Sequence, residues 1–477
     1  MIGRSKEVKE LMDLYNGSRS ELVAIYGRRR VGKTYLINQT FKDKFTFKHT
    51  ALSPDEYDNE EELVNLQLER FYANLMKYGL NESKKPQNWF EALDLLEKLL
   101  IEKNDGTRQV VFFDELPWLD TKKSNFIKAF ESFWNSFACD RENLMVIVCG
   151  SANSWIQNNL INNHGGLYGR ITYEIKLNPF NLKECEDYLV SNGVNLSRYD
   201  IATAYMILGG IPYYLGYIKK GMSLSQNIDN MFFNKNAQLD LEFDRLFQSC
   251  FESAEFAKKI VILLNENKKG FTRNEIVNKL NVGDGGNLTK VLNSLISSGF
   301  ALKYVPFGEK SKISYYKLID PFCMFYLKFK YEKNPSETFF QDNYGTQMIN
   351  IWKGLSFENV CFNHIKQIKH TLNILGVSSS ESAFNYKNDD GCGQIDLIIS
   401  RNDNVINLCE IKFYQDDFKV DLNYYKKLNS RIESIRPYVS KKSAIFNTLI
   451  TTYGLVNNEY SNVFQNVIVL DDLFIDL

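Results

Sequence analysis

An eight-residue stretch near the start of the chain has the residue types and the spacing that bind a phosphate group. It fits the pattern Gly-x-x-x-x-Gly-Lys-Thr. In such a loop the backbone N–H groups surround a β-phosphate, the lysine neutralises the β- and γ-phosphate oxygens, and the threonine hydroxyl reaches Mg²⁺. An ordinary glycine turn is the alternative, but the apolar run before the stretch and the helical pattern after it favour a phosphate loop between a strand and a helix. The nucleotide-binding candidates are Gly27, Arg30, Val31, Gly32, Lys33, Thr34 and Tyr35.

Two acidic residues end an apolar run about 80 residues after this loop. The run is Val110–Phe113, and Asp114 and Glu115 follow it directly. In nucleotide hydrolases the first acid at such a place holds the Mg²⁺ shell, and a second polar group orients or deprotonates the attacking water. We therefore expect Asp114 to be a metal ligand and Glu115 to act on the water. The alternative is a buried strand whose acids are only solvated.

Three further residues are candidates for sensing the γ-phosphate or for stabilising the transition state. Ser151 and Asn153 follow the apolar strand Val146–Cys149, so either could sense that phosphate through a hydrogen bond, although N-capping of the next helix is an equal alternative. Arg170 follows a glycine-rich loop and could supply positive charge to the transition state, from the same chain or from a neighbouring one. A surface salt bridge is the alternative for Arg170.

Near the carboxyl end, an acid on one predicted strand precedes a Glu-x-Lys pattern on the next. The acid is Asp396, and the pattern is formed by Glu410 and Lys412. Residues two apart in a strand point to the same face, so the carboxylate and the ammonium converge. Asp396 and Glu410 suit Mg²⁺, the lysine can stabilise charge or position a water, and Glu358 on a preceding helix supplies a third acid. A solvated strand end is the alternative for Glu410 and Lys412.

The segments between these motifs predict the elements that must position them. Up to about residue 178, short apolar strands alternate with amphipathic helices, which is the pattern of a parallel α/β sheet covered on both faces. The next 60 or so residues are helical. Three helices and a β-hairpin then predict a winged helix-turn-helix, whose second helix opens with a capping box at Thr272–Glu275. The last segment alternates helices and strands and includes a helix around Phe357 to Lys369. The predicted strands are Leu22–Tyr26, Phe45–His49, Val110–Phe113, Leu144–Cys149, Thr172–Leu177, 394–400, 405–413, 443–451 and 466–470. The predicted domains are 1–178, 179–244, 245–335 and 340–477.

Composition excludes several classes of protein. The 477 residues carry 57 basic and 58 acidic side chains, so no overall charge draws the chain to nucleic acid or to an anionic membrane. The 8 cysteines include no Cys-x-x-Cys pair and there are only 4 histidines, so neither a zinc cluster nor a disulfide framework is visible. No apolar run approaches membrane-spanning length. We expect a cytoplasmic protein with no membrane partner.

The predicted winged helix carries only a small excess of positive charge, which makes it a weak candidate for binding DNA. Residues 241–320 contain 12 basic and 9 acidic side chains. The outward face of its third helix is polar with one cation, and a structural role coupled to the nucleotide is the alternative to sequence-specific reading. That face is formed by Thr289, Lys290, Asn293, Ser294 and Ser297.

The N-terminal motifs together resemble the archaeal-type ATPase family, a branch of the AAA+/STAND P-loop ATPases. The resemblance implies a P-loop sheet followed by a helical lid, with ATP and Mg²⁺ as cofactors. It also implies that Ile2, Arg4 and Pro212 contact adenine, with a plain helix break as the alternative for Pro212. The segments that carry the resemblance are Ile2–Arg4, Gly27–Thr34, Phe113–Trp118, Gly150–Trp155, Leu167–Arg170 and Gly209–Pro212.

The C-terminal motif resembles the PD-(D/E)XK nuclease superfamily, although Ile395 stands where the proline of that motif would be. This resemblance implies an α/β restriction-endonuclease-like domain. The sequence therefore predicts an ATPase that couples its nucleotide state to DNA binding or to Mg²⁺-dependent cleavage. The alternative is a nucleotide-switched regulatory or scaffold ATPase whose nuclease-like domain does not cut. Predicted partners are ATP, DNA through the winged helix and the nuclease-like domain, and a second copy of the chain in a nucleotide-dependent homo-oligomer.

Overall fold

Five apolar segments in the first part of the chain pair as one parallel sheet, in the order β2-β3-β4-β1-β5. The structure is a computed structural model that describes residues 1–54, 59–162, 165–251, 253–308, 313–388 and 391–477, with only the backbone of 385–388 and 391–393. Strands β1, β3 and β4 are buried along their whole length, as expected for the centre of a parallel sheet. The predicted sheet is confirmed. The strands are β1 Glu21–Tyr26, β2 Phe45–Thr50, β3 Gln109–Asp114, β4 Leu144–Gly150 and β5 Tyr173–Lys176.

The helices between these strands begin where the sequence supplies a cap. Asn59 accepts from the N–H of Glu61 (3.0 Å) at the start of α3, and Asn88 accepts from the N–H of Glu91 (3.0 Å) at the start of α4. The apolar faces of these helices join the core on one side of the sheet. The helices are α1 Ser5–Tyr15, α2 Lys33–Thr40, α3 Glu60–Lys77, α4 Trp89–Glu102, α5 Phe126–Ser136 and α6 Asn153–Ile156, with short helical turns at 116–119, 138–140 and 157–161.

The next segment is helical as far as Phe233, as predicted, and then contains one short strand. Thr272 and Glu275 form the predicted capping box: the threonine hydroxyl accepts from the N–H of Glu275 (3.3 Å), and the glutamate accepts from the N–H of Thr272 (2.7 Å). The elements are α7 Leu182–Ser191, α8 Arg198–Leu208, α9 Pro212–Leu215, α10 Leu224–Ile228 with a turn at 229–233, α11 Glu242–Cys250, α12 Ala254–Asn265, β6 Phe271–Thr272, α13 Arg273–Leu280 and α14 Gly286–Ser297.

The predicted hairpin is present and pairs with β6 in an antiparallel sheet of order β6-β8-β7, although part of its turn, 309–312, lies outside the described residues. The helix expected from Phe357 to Lys369 has different bounds. It begins at Gln347, stops at Asn363 and restarts at Ile365, because the backbone of His364 departs from the helical conformation (φ −115°, ψ 29°). The elements are β7 Ala301–Tyr304, β8 Tyr315–Leu318, α15 Pro321–Phe329, α16 Phe339–Asn343, α17 Gln347–Asn363 and α18 Ile365–Thr371.

The last segment forms a mixed sheet of order β13-β12-β11-β10-β9. Strand β10 pairs antiparallel with β9 and β11, whereas β11, β12 and β13 are mutually parallel. Strand β9 was not predicted, because its sequence is rich in serine, glutamate and asparagine, which disfavour strands. The elements are β9 Ser379–Asn388, β10 Gly391–Arg401, β11 Val405–Ile411, α19 Leu422–Ile435, β12 Ala444–Thr451 and β13 Asn466–Val469, with short turns at 436–438, 461–463 and 470–474.

The chain forms two compact units whose segments alternate along the sequence. The first unit comprises Met1–Pro179, Asp244–Ala257 and Gly286–Ser298, and the second comprises Phe180–Phe243, Lys258–Gly285 and Gly299–Leu477. Pieces of the predicted winged-helix segment therefore belong to each unit, and the division into four domains stays a prediction. In the described part of the chain, no helix is both long and apolar enough to cross a membrane.

Candidate functional site

The phosphate loop leaves β1 and enters α2 through backbone conformations that favour glycine. Gly27 has φ +151°, and a Cβ there would lie 2.2 Å from the carbonyl oxygen of Leu177. Gly32, with φ +95°, is the residue before α2. The first and last glycines of the pattern are therefore required by the path of the backbone.

The Lys33 side chain folds back over the loop, where it is buried. Its ammonium donates to the carbonyl oxygens of Gly27 (3.0 Å) and Arg28 (3.2 Å) and to the Ser151 hydroxyl (3.0 Å). A phosphate entering the loop would meet a lysine that is already positioned. Tyr35, by contrast, is 61% exposed.

Thr34 and Asp114 lie together at the end of the loop. The threonine hydroxyl donates to the Asp114 carboxylate (3.0 Å), which also accepts from the Cys149 thiol on β4 (2.8 Å). Burial, followed by the nearby Asp114 and Glu115, raises the pKa of Cys149 well above its ordinary value, so the thiol stays protonated and donates. A hydroxyl and a carboxylate are oxygen ligands of the kind that Mg²⁺ prefers, so these two residues fit the metal.

Ser151 connects Lys33 to Glu115. Its hydroxyl and its backbone N–H donate to the two carboxylate oxygens of Glu115 (2.8 and 2.9 Å), while Lys33 donates to the same hydroxyl. Glu115 itself adopts a left-handed backbone (φ 51°, ψ 45°), which turns the chain directly after β3. Glu115, the acid that we expect to act on water, is thus hydrogen-bonded to Ser151, a residue that we expect to sense the γ-phosphate.

Asn153 bonds to the phosphate loop and to helix α14. Its side-chain oxygen accepts from the N–H of Gly27 (2.8 Å), and its amide nitrogen donates to the carbonyl oxygen of Ser297 (3.1 Å). The neighbouring Ser154 hydroxyl lies 2.9 Å from that of Ser297. The N-capping alternative is wrong, because the residue at that position of α6 is Ala152 and no side chain caps the helix.

The acidic residues of the C-terminal sheet lie on neighbouring strands. Leu397 pairs with Cys409, so the next step of the antiparallel register places Asp396 opposite Glu410. Lys412 lies 2.7 Å from Glu410, which confirms that the two side chains share a face. Burial, followed by the charges of Glu358 and Glu410, raises the pKa of Asp396. The shared face of Glu410 and Lys412 is therefore confirmed, and the metal-binding role of Asp396 and Glu410 stays a prediction.

Both oxygens of Glu410 already have partners from the protein. Lys412 and the Tyr424 hydroxyl bond to one oxygen, and the Arg431 guanidinium bonds to the other. Burial opposes ionisation of Glu410, but Lys412 and Arg431 outweigh it and lower the pKa. Tyr424 and Arg431 both belong to α19, and sequence reasoning missed them because nothing in that amphipathic helix marks a site.

Glu358 is also ion-paired, since it lies 2.6 Å from the ammonium of Lys268. Both residues line a cavity of about 230 Å³, together with Asp396 and Lys317. Burial lowers the pKa of Lys317, partly offset by Glu358. Among the residues that the structure describes, no group of three or more acidic, histidine or cysteine side chains is arranged to share a metal ion.

Comparison with known proteins bears on the first of these sites. Residues 1–218 match the family described as an ATPase domain predominantly from Archaea. They form an archaeal-type ATPase domain. The residues of the phosphate loop and Asp114–Glu115 all fall inside the match, which supports ATP hydrolysis by this part of the chain.

Similar proteins are known from one archaeon in particular, Methanocaldococcus jannaschii. The protein MJECL04 is 24% identical over 330 residues, which cover 69% of this chain and 68% of that protein. The ATP-binding protein MJ0632 is 24% identical over 57% of this chain and 88% of its own length. Among solved structures, the Walker-type ATPase PABY2304 of Pyrococcus abyssi is 18% identical with a TM-score of 0.46, over 69% of this chain and 96% of that one.

Arg170 lies at the edge of the ATPase sheet opposite the phosphate loop. Two residues later, the N–H of Thr172 donates to the carbonyl of Leu22 (2.9 Å) at the start of β1, whereas the loop begins after Tyr26 at the end of that strand. Burial raises the pKa of Cys139 on this same edge, and the exposed Arg170 guanidinium partly opposes that rise. A catalytic role for Arg170 stays a prediction, and only its action on a neighbouring chain fits this placement.

Arg4 of the ATPase domain has a structural contact that its sequence did not reveal. Its guanidinium donates to the carbonyls of Val31 (3.2 Å) and Asn178 (2.8 Å), and so ties the phosphate loop to the residues after β5. Ile2 is half-buried, and Pro212 begins α9 in the second unit. Adenine contacts by Ile2, Arg4 and Pro212 stay predictions.

Proposed function

We propose that this chain is an ATP-hydrolysing switch that controls a Mg²⁺-dependent phosphodiesterase site of the PD-(D/E)XK type. The observation that supports the second half of this proposal is the placement of Asp396 opposite Glu410, with Lys412 at 2.7 Å on the same face. Two carboxylates on adjacent strands can hold a hard divalent ion, and an ammonium beside them can stabilise the charge that develops on a phosphodiester.

At the ATPase site, Thr34 and Asp114 would hold Mg²⁺, which neutralises charge on the β- and γ-phosphates when bound. Lys33 would exchange its bonds to the loop carbonyls for bonds to the nucleotide. The Ser151 hydroxyl and backbone N–H occupy one lone pair on each carboxylate oxygen of Glu115 and hold its orientation. A γ-phosphate oxygen that accepts from the Ser151 hydroxyl would release Glu115, so nucleotide binding itself would prepare the base.

DNA is the substrate class that we propose for the C-terminal site. Three polar residues on the predicted third helix of the winged helix, α14, are exposed: Thr289, Lys290 and Asn293. The carboxyl end of the same helix bonds to the ATPase domain through Ser297. We propose that α14 transmits the nucleotide state, and that any contact with DNA comes from its exposed residues.

A second candidate function is a nucleotide-switched regulatory ATPase whose nuclease-like domain does not cut. It is favoured by one specific observation: Glu358 and Glu410 are both ion-paired within the protein, so neither is free to coordinate a metal as described. The two candidates share ATP hydrolysis and differ only at the C-terminal site.

Incubation of the purified full chain with duplex and single-stranded DNA and RNA separates these candidates. The reactions contain Mg²⁺ or Mn²⁺, with and without ATP. Cleavage that is lost in Asp396→Ala and in Lys33→Ala would support nucleotide-controlled cutting. Asp403→Ala is the matched control, because Asp403 is an exposed acid that follows the same strand. No cleavage of any substrate, with ATPase activity intact, would favour the second candidate.

A further inference from the structure

Lys268 stands on a tight turn that its neighbours hold in place. The carbonyl of Asn267 accepts from the N–H of Gly270 (2.8 Å), and its side-chain oxygen accepts from the N–H of Lys269 (3.0 Å). From strand β7, the Tyr304 hydroxyl donates to the carbonyl of Lys269 (2.7 Å). The backbone that carries Lys268 is therefore fixed by three hydrogen bonds.

The same turn is pressed against strand β8. Gly270 has φ +77°, and a Cβ there would lie 2.0 Å from the carbonyl oxygen of Tyr316. Only glycine fits both the conformation and the approach. The turn is consequently an ordered part of the second unit, and the backbone of Lys268 is held in place more firmly than that of an ordinary surface lysine.

From this turn the Lys268 ammonium reaches Glu358, whose side chain is 8% exposed, at 2.6 Å. An ammonium and a divalent cation use the same carboxylate lone pairs, so they exclude each other at close range. The pair lines the cavity that also contains Asp396. Lys268 thus neutralises the buried Glu358 carboxylate, which a metal ion bound here would need as a free ligand.

We propose that Lys268 is an internal counter-ion that keeps the Glu358 and Asp396 side of the site closed to divalent metal while the 267–270 turn holds it in place. This inference rests on the proposed function, because it presupposes that a metal binds there. It makes a prediction of definite sign. Removal of the ammonium should strengthen metal binding, and a substitution that keeps the positive charge should not.

The test is Mn²⁺ binding to the nucleotide-free full chain, measured by electron paramagnetic resonance. We expect Lys268→Met to bind Mn²⁺ about tenfold more tightly than the wild type, because one unit of positive charge leaves contact distance of the ligand. Lys268→Arg keeps the charge and should bind as weakly as the wild type. Lys279→Met is the control, since its ammonium lies over the Phe271 ring (5.2 Å) and Lys279 is not among the described residues that line this cavity, and it should also behave as the wild type.

The increase in Mn²⁺ affinity must disappear when Lys268→Met is combined with Asp396→Asn. Its loss in the double variant would assign the bound Mn²⁺ to this cavity. If Lys268→Met fails to fold, Lys268→Gln serves instead, because its neutral amide can still donate to Glu358. The wild type could instead bind Mn²⁺ tightly, in a way that depends on Asp396 and is unchanged in Lys268→Met. That result would refute the counter-ion role of Lys268 and would support the metal site itself. No Asp396-dependent binding in any variant would overturn the counter-ion together with the proposed cleavage.

Discussion

Acid should weaken the second unit through one buried histidine, His364, in a pH range that the structure defines. The His364 ring is fully buried; one nitrogen accepts from the N–H of Leu182 (2.9 Å), and the other lies 2.7 Å from the carbonyl of Val360. The first contact requires an unprotonated nitrogen. Burial lowers the pKa of His364 from 6.5 to about 4, although the bond to Val360 opposes the shift.

The direction of the effect follows from comparing the two states. Between pH 6.5 and about 4 the unfolded chain protonates this histidine while the folded chain does not. The unfolded state therefore binds more protons, and stability is lost as the pH falls through this range. The full difference corresponds to about 3 kcal/mol, present above pH 6.5 and absent below pH 4.

Urea unfolding at a series of pH values, with wild type compared with His364→Gln, measures this contribution. The variant should be less stable by about 1–3 kcal/mol at pH 7, because two buried hydrogen bonds are altered. It should then lose about 3 kcal/mol less than the wild type between pH 7 and pH 4. His370→Gln, at an exposed histidine of the next helix, should follow the wild type. Parallel losses in wild type and His364→Gln would refute the reasoning.

Three further predictions concern the ATPase site. In Ser151→Ala, ATP turnover should fall by about 10²-fold while nucleotide binding is retained, because Lys33 and Glu115 lose their shared hydroxyl. Steady-state kinetics would measure the turnover, and titration with a fluorescent nucleotide would measure the binding. An unchanged kcat would contradict this prediction. Arg170→Ala should be inactive alone yet recover part of its ATPase when mixed with Lys33→Ala, which supplies an intact arginine from a neighbouring chain; mixtures no more active than their components would exclude that role. Gly27→Ala should abolish nucleotide binding in the same titration, since its Cβ would lie 2.2 Å from the Leu177 carbonyl, and normal binding would show that the loop tolerates the clash.

The parts of the molecule that the sequence predicted are those encoded by local patterns. The phosphate loop, the strand before Asp114 and the Thr272 capping box each depend on residues within a few positions of one another. The shared face of Glu410 and Lys412 followed from the twofold periodicity of strands, which holds wherever a strand forms. These features needed no knowledge of the rest of the fold.

The parts that could not be predicted are contacts between residues far apart in the sequence. Lys268 and Glu358 are 90 positions apart, and an Asn-Lys-Lys-Gly turn looks like any exposed loop. Arg431 lies on an amphipathic helix, where a charged residue normally faces solvent, yet it is buried against Glu410. The hydrogen bond from Cys149 to Asp114 depends on strand order, which no local pattern contains.

The alternation of the two units along the sequence limits how the protein can be divided. The chain passes from one unit to the other after Pro179, Phe243, Ala257, Gly285 and Ser298. A fragment that ends at residue 218, where the family match ends, would contain the phosphate loop but lack 244–257 and 286–298, two segments of the same unit. It would also lose the Ser297 partner of Asn153. The first unit, which contains the phosphate loop, is therefore complete only when synthesis has passed residue 298. A ribosome must translate more than half of the chain before this unit can fold completely.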